Sequence, residues 1–251
     1  MLVRSKEGEK NKKYRITGLR EDIVRELRKH VEPRYRTGAE NYFKEGIVLY
    51  GVRAHIVRRI AADFYREIRK ETKERIFSVC EDLLRSTFSE EKTIAFAWAY
   101  RLQNQYEPKD FKMFESWLEK HVSNWGSCDD FCRHAFGAFI YRFPRFLPDV
   151  VGWTRTRDRW LKRGAAVIMI YSLRKGEYLD AALNVADALL YDGDYLVQNG
   201  YGWMLKDASI VFPRQVLDYV FRHRKEMPRR ALRYAIERFR PGQRRKVMGV
   251  A

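Results

Sequence analysis

Cysteine is scarce: a chain of 251 residues holds three, Cys80, Cys128 and Cys132. An odd number this small excludes a disulfide framework and leads us to expect a reducing compartment. Long apolar runs are also missing, with nothing near the roughly 18 uninterrupted residues of a membrane span. The opening stretch Met1 to Lys10 lacks the hydrophobic region of a secretory leader. Together these shortages lead us to expect a soluble, cytoplasmic protein. Strand-like alternation of apolar and polar residues is absent, which argues against a β fold. There is no glycine-rich phosphate loop, no nucleophile elbow and no iron–sulfur cysteine set. His121 and His134 stand near Cys128 and Cys132, but their spacing matches no standard zinc pattern. The thiols read instead as small buried side chains on a helix, and neither metal nor cofactor is expected.

Acidic residues are outnumbered as well, 33 Asp and Glu against 50 Lys and Arg, for a net charge of +17 and a pI near 9.8. Such a field favours a polyanionic partner, nucleic acid first among them, although charge alone also suits a thermostable or merely soluble surface. The excess is uneven. From Phe212 to Ala251 there are twelve Lys and Arg against three Asp and Glu, a net +9.

What the chain does have is helical periodicity and enough apolar residues, 45% with 14% aromatic, to bury a sizeable core. Residues 1–16, rich in Lys, Glu and Asn, show no apolar period and read as a flexible arm. Beyond them, Ile23 and Leu27, then Ile56, Ile60, Phe64 and Ile68, recur at four-residue spacing, one stripe per amphipathic helix. Similar stripes follow at Ile76 to Leu84, Ile94 to Leu102, Phe111 to Leu118, Leu179 to Leu190, Val197 to Leu205, Val216 to Val220 and Ala231 to Ala235. Breakers lie between them at Ser86 to Ser89, Glu107 to Asp110 and Asn124 to Ser127. About a dozen helices with no intervening linker predict one all-α domain over residues 17–251, stacked as antiparallel helix pairs in a solenoid; a compact bundle is the alternative.

Three stretches carry chemistry-bearing residues. In Ser123-Asn124-Trp125-Gly126-Ser127-Cys128-Asp129-Asp130, the Ser127 and Asp130 spacing predicts a capped helix start with Asp129 in its first turn, where free N–H groups and the dipole keep a carboxylate ionised. Trp125 then falls in the preceding connection, where a large aromatic is hard to explain as core. In Arg159-Trp160-Leu161-Lys162-Arg163-Gly164-Ala165-Ala166, a helix opens with dense positive charge and then turns apolar. Arg163 beside such small residues is expected to be partly buried and to need a phosphate or a carboxylate partner. In Gln198-Asn199-Gly200-Tyr201-Gly202-Trp203, each glycine costs a helix about 1 kcal/mol relative to alanine, so close approach to a neighbouring helix or a ligand is expected to compensate. Taken singly, each stretch also reads as ordinary structure: an acidic helix start, a buried ion pair, a core tryptophan.

In this order and spacing, the three stretches resemble the HEAT-like DNA alkylation repair family, the AlkD-type alkylpurine DNA glycosylases, from about Tyr42 to Phe239. Trp125 and Asp129 fall on the family's Trp-x-x-x-Asp pair, Arg163 on its Arg before a small-residue helix, and Trp203 on its Gly-Trp pair. Tyr42, eight residues before Tyr50-Gly51-Val52, matches a further cleft aromatic. The helix start Met227-Pro228-Arg229-Arg230-Ala231 is similar too. The family commonly has Trp-Asp-x-Val-Asp, whereas this chain has Gly126 and Cys128 at the intervening Asp and Val.

The resemblance implies a right-handed or curved α-solenoid of HEAT-like helix pairs with a concave basic face. It also implies a monofunctional glycosylase, without cofactor, that hydrolyses the N-glycosidic bond of cationic alkylated purines such as N3-methyladenine and N7-methylguanine in double-stranded DNA. Asp129 would then stabilise an oxocarbenium-like sugar and position water, Trp125 and Trp203 would wall the sugar and base, and Arg163 would hold the adjacent phosphate. Lys162 and Lys206, candidate Schiff-base lysines, carry no mark of desolvation, so simple hydrolysis is expected. Backbone contacts are expected from Tyr42, Arg58, Arg59, Lys206, Arg229, Arg230 and Arg233, with Arg244 and Arg245 as further candidates. No protein partner is implied, and a monomer suffices. The alternatives are a non-catalytic HEAT-like binder of branched or damaged DNA and a helical scaffold for proteins.

Overall fold

The computed structural model describes residues 18–249; the arm expected at residues 1–16 lies outside them. Among the described residues there are helices and short turns but no strand, only an isolated bridge between Val48 and Phe88. None of these helices is long and apolar enough to cross a membrane. The contacts gather into two compact units. The first runs up to Lys44 and takes in Val48–Trp98, and the second comprises Glu45–Ile47 and the chain from Ala99 onward.

In the first unit, α1 (Leu19–Arg28), α2 (Pro33–Tyr42), α3 (Ala54–Ile68) and α4 (Lys73–Leu84) precede α5 (Ser89–Arg101), whose last turn passes into the second unit. The α1 stripe Leu19, Ile23 and Leu27 is fully buried, and α1 packs against α3 and α4. On α3 the buried residues are Val57, Ile60, Ala61, Phe64 and Ile68. Ile56, expected on that stripe, is half-buried beside it. The unit is held by two adjacent buried carboxylates at the start of α5. Glu90 accepts from the backbone N–H groups of Tyr50, Gly51 and Val52 at 3.1, 2.9 and 3.0 Å. Glu91 accepts from the Tyr50 hydroxyl, the Ser86 hydroxyl and the Arg20 guanidinium at 2.8, 2.5 and 2.7 Å. Gly51 sits at φ +99, and a Cβ there would meet the Arg36 Cβ at 2.7 Å and the Glu32 carbonyl at 3.2 Å, so only glycine serves there.

The second unit holds α6 (Asp110–His121), α7 (Trp125–Phe131), α8 (Gly137–Arg142), α9 (Leu147–Gly152), α10 (Arg159–Leu173), α11 (Leu179–Ala188), α12 (Tyr195–Val211), α13 (Pro213–His223), α14 (Arg229–Ala235) and α15 (Pro241–Met248). A π-helical turn, Cys132–Phe136, joins α7 to α8 without a break. Helix α10 is buried on nearly every side and packs against α6, α7, α8, α11 and α12. An aromatic cluster of Phe111, Phe114, Trp117, Phe131, Phe136, Phe139 and Trp153 fills the core beside it. Gly137 and Gly164 permit that density. A Cβ on Gly137 would meet the Tyr171 Cβ at 2.6 Å, and one on Gly164 the Leu118 side chain at 2.8 Å.

Candidate active site

The breaker expected at Asn124 to Ser127 is a helix start, but its cap is Asn124 rather than Ser127. Asn124 is extended (φ −148, ψ 162), and its side-chain oxygen accepts from the Ser127 N–H at 2.9 Å. Asparagine caps as well as serine, and here it acts three residues earlier. Two corrections follow. Trp125 is the first helical residue rather than part of the connection, and Asp129 lies in the second turn, beyond the free N–H groups of the first. Trp125 and Asp129 are therefore four apart on one helix, where side chains share a face.

The charge of Asp129 is met by Arg163 on α10. The guanidinium donates to both carboxylate oxygens, Nε to Oδ1 and Nη2 to Oδ2, each at 2.8 Å. Its Nη1 donates to the Leu196 carbonyl of α12 at 2.5 Å. The side chains are 6% and 18% exposed for Arg163 and Asp129. Of the two partners open to Arg163, the fold supplies the carboxylate, and the guanidinium is buried against it. Burial raises the Asp129 carboxyl above the usual aspartate range, and Arg163, with Arg133 behind it, pulls it back down. The same pairing holds the Arg163 guanidinium charged despite its burial.

Helix α12 reaches Arg163 because of its glycines. A Cβ on Gly200 would meet the Arg163 Cγ at 3.2 Å, and one on Gly202 would meet the Ala231 carbonyl and the Tyr234 Cβ of α14, both at 2.8 Å. Two residues apart on a helix are about 200° around its axis, so one glycine opens α12 to α10 and the other opens it to α14. Trp203 follows directly and is half-buried. Over its ring, at 5.6 Å, lies the guanidinium of Arg133 from the π-helical turn. Sequence reasoning missed Arg133. Its only local signal is the position four residues after Asp129, and a π turn, which is common at functional sites, is invisible in the sequence.

The remaining charge at the start of α10 is also paired. Arg159 meets Asp194 at 2.6 Å and Lys162 meets Asp192 at 2.6 Å. Lys206 is bound to Glu237 at 2.9 Å, is 16% exposed and lies near the Tyr234 ring. Arg229, Arg230 and Arg233 are exposed on α14, with Arg230 over the Tyr195 ring at 5.4 Å. Tyr42, 69% exposed at the end of α2, and the exposed Arg58 and Arg59 on α3 belong to the first unit. Behind Asp129, Cys128 and Cys132 are fully buried with their sulfurs 4.0 Å apart, and burial pushes the Cys132 thiol far up. Among the described residues, no group of three or more His, Cys, Asp or Glu side chains is arranged to hold a metal ion.

Comparison with known proteins gives a family and a fold. No curated protein sequence is matched. A solved structure described as a predicted DNA alkylation repair enzyme from Enterococcus faecalis is similar with a TM-score of 0.74 at 18% identity, covering 84% of this chain and 98% of its own. The crystal structure of smu.31 from Streptococcus mutans UA159 is similar with a TM-score of 0.53, also at 18% identity, covering 74% and 98%. The all-helical architecture agrees with the α-solenoid expected from the sequence. The family model described as DNA alkylation repair enzyme matches residues 23–239, and the chain belongs to that family.

Proposed function

We propose that the protein is a DNA glycosylase that releases cationic alkylated purines, N3-methyladenine and N7-methylguanine, from duplex DNA by hydrolysis of the N-glycosidic bond. The observation that carries this reading is the bidentate Asp129–Arg163 pair, with Arg133, four residues after Asp129, lying over the Trp203 ring. A cationic base needs no proton to leave, so the task is to stabilise positive charge on the sugar and to hold water. An ionised carboxylate offers about four acceptor positions. Arg163 takes two of them, leaving two for a water and a developing oxocarbenium ion.

Arg163 thus serves as a positioning residue, fixing the carboxylate in orientation and charge. Trp125 and Trp203 are the aromatic walls, each well-placed ring worth about 0.5–2 kcal/mol toward a cation. Exposed Tyr42, Arg58, Arg59, Arg229, Arg230 and Arg233 would add backbone contacts. Lys206, bound to Glu237, would join them by exchanging partners.

The test is release of N7-methylguanine from a modified duplex, measured as free base. Wild-type protein is expected to release it, and Asp129→Asn to abolish release while keeping DNA binding. Undiminished release by the variant refutes the role of Asp129. Tight binding with no release by the wild type refutes catalysis and favours a non-catalytic binder of damaged DNA.

A further inference from the structure

Beside the Asp129 site, the second unit has a cavity of 330 Å³ that the proposed chemistry does not use, lined in part by Tyr100, Arg133, His134, Tyr171, Arg174 and Lys175. No carboxylate is among its lining residues, though Arg174 and His134 are paired with Asp207 and Asp130 outside the lining, and the space is at the small end of ligand pockets. The charges are held in place differently. Arg174 is bound to the buried Asp207 at 2.6 Å. Lys175 is exposed and lies over the rings of Tyr141 and Tyr171 at 5.1 and 5.3 Å; aromatic faces fix an ammonium without neutralising it. Arg133 connects the cavity with the Trp203 ring. Burial and the neighbouring Tyr100 push the Tyr171 hydroxyl up to about 12, so it remains a neutral wall.

We propose that this cavity is a phosphate-binding subsite for DNA, in which Lys175 takes the anionic oxygens. A cavity lined by cations and by no carboxylate favours an anion, and its small volume favours a single phosphate group over a whole nucleotide. From Arg163 to Arg174 is about 16 Å along α10 at 1.5 Å per residue. The Lys175 end of the subsite therefore lies beyond the phosphates of the reacting nucleotide and anchors the strand a few nucleotides away. The inference rests on DNA being the substrate.

The experiment is fluorescence anisotropy of the full chain on a short blunt duplex, with and without 5′-phosphates, between about 50 and 200 mM salt. Losing one phosphate contact makes the log K against log salt slope shallower by about 0.9, and binding near 0.1 M salt about eightfold weaker. Lys175→Gln is expected to show both effects, Lys175→Arg to restore the slope, and Lys112→Gln, at a lysine paired with Glu115, to leave it unchanged. An effect on both duplexes assigns an internucleotide phosphate, and an effect only with 5′-phosphates assigns a terminal one. A steep wild-type slope that Lys175→Gln leaves unchanged overturns the subsite alone. A wild-type slope near zero overturns the DNA reading and the subsite with it.

Discussion

Replacing Arg163 with glutamine removes the guanidinium while keeping a polar side chain. It deprives Asp129 of two charge-assisted hydrogen bonds and the Leu196 carbonyl of a third. Breaking a buried pair from one side costs about 3–5 kcal/mol, because an uncompensated charge is left behind. Asp129 keeps some contact with solvent, which places the loss near the lower end, about 3 kcal/mol, or a fall in Tm of roughly 6–12 °C for a chain of this size. The pH dependence has a definite sign. Burial already raises the Asp129 carboxyl, and Arg163 opposes that rise, so the variant carries it higher still. A carboxyl whose folded value is raised contributes stability below its unfolded value, near 3.9, and loses that contribution as pH rises through the folded value. The deficit of Arg163→Gln is therefore expected to be largest at neutral pH and to shrink as acid protonates Asp129. Thermal and urea unfolding followed by circular dichroism at neutral and mildly acidic pH, with the Asp129→Asn, Arg163→Gln cycle, measures this. A deficit under about 1 kcal/mol, or one that grows in acid, refutes the reasoning.

Gly202→Ala places a Cβ 2.8 Å from the Ala231 carbonyl. The packing strain of about 1–3 kcal/mol is expected to outweigh the helix-propensity gain of about 1 kcal/mol, so Tm should fall in a melting scan. Glu91→Ala strands the donors of Tyr50, Ser86 and Arg20 and should destabilise the chain by about 3 kcal/mol in urea unfolding. Trp203→Ala removes one proposed aromatic wall, worth about 0.5–2 kcal/mol, and is expected to slow base release about two- to thirtyfold. An unchanged single-turnover rate would remove Trp203 from the site.

Much of the fold was legible because each helix writes its buried stripe into the local sequence. Ile23 and Leu27, or Val197, Tyr201, Met204 and Leu205, repeat at helical spacing and are all buried. The glycines of α12 were legible in the same way: a cost inside a helix signals close approach, and both approaches are present. The division into two units was not legible, because no linker marks it and α5 runs through the boundary without a break. The Asn124 cap was missed because asparagine and serine both cap well, and only the backbone torsion at each position decides between them.

For the site, the sequence by itself determined which residue types stand in which order: a carboxylate four residues after a tryptophan, an arginine before small residues, and a tryptophan after paired glycines. Those spacings are local, and helical geometry converts them into shared faces. Tertiary structure alone decided who meets whom. Arg163 pairs with Asp129 across 34 residues of chain, so of the phosphate and the carboxylate that the sequence left open, the fold supplies the carboxylate. Arg133 reaches Trp203 from a π turn 70 residues away in sequence. The partner of a buried charge depends on which helix packs beside it, and no local pattern encodes that choice.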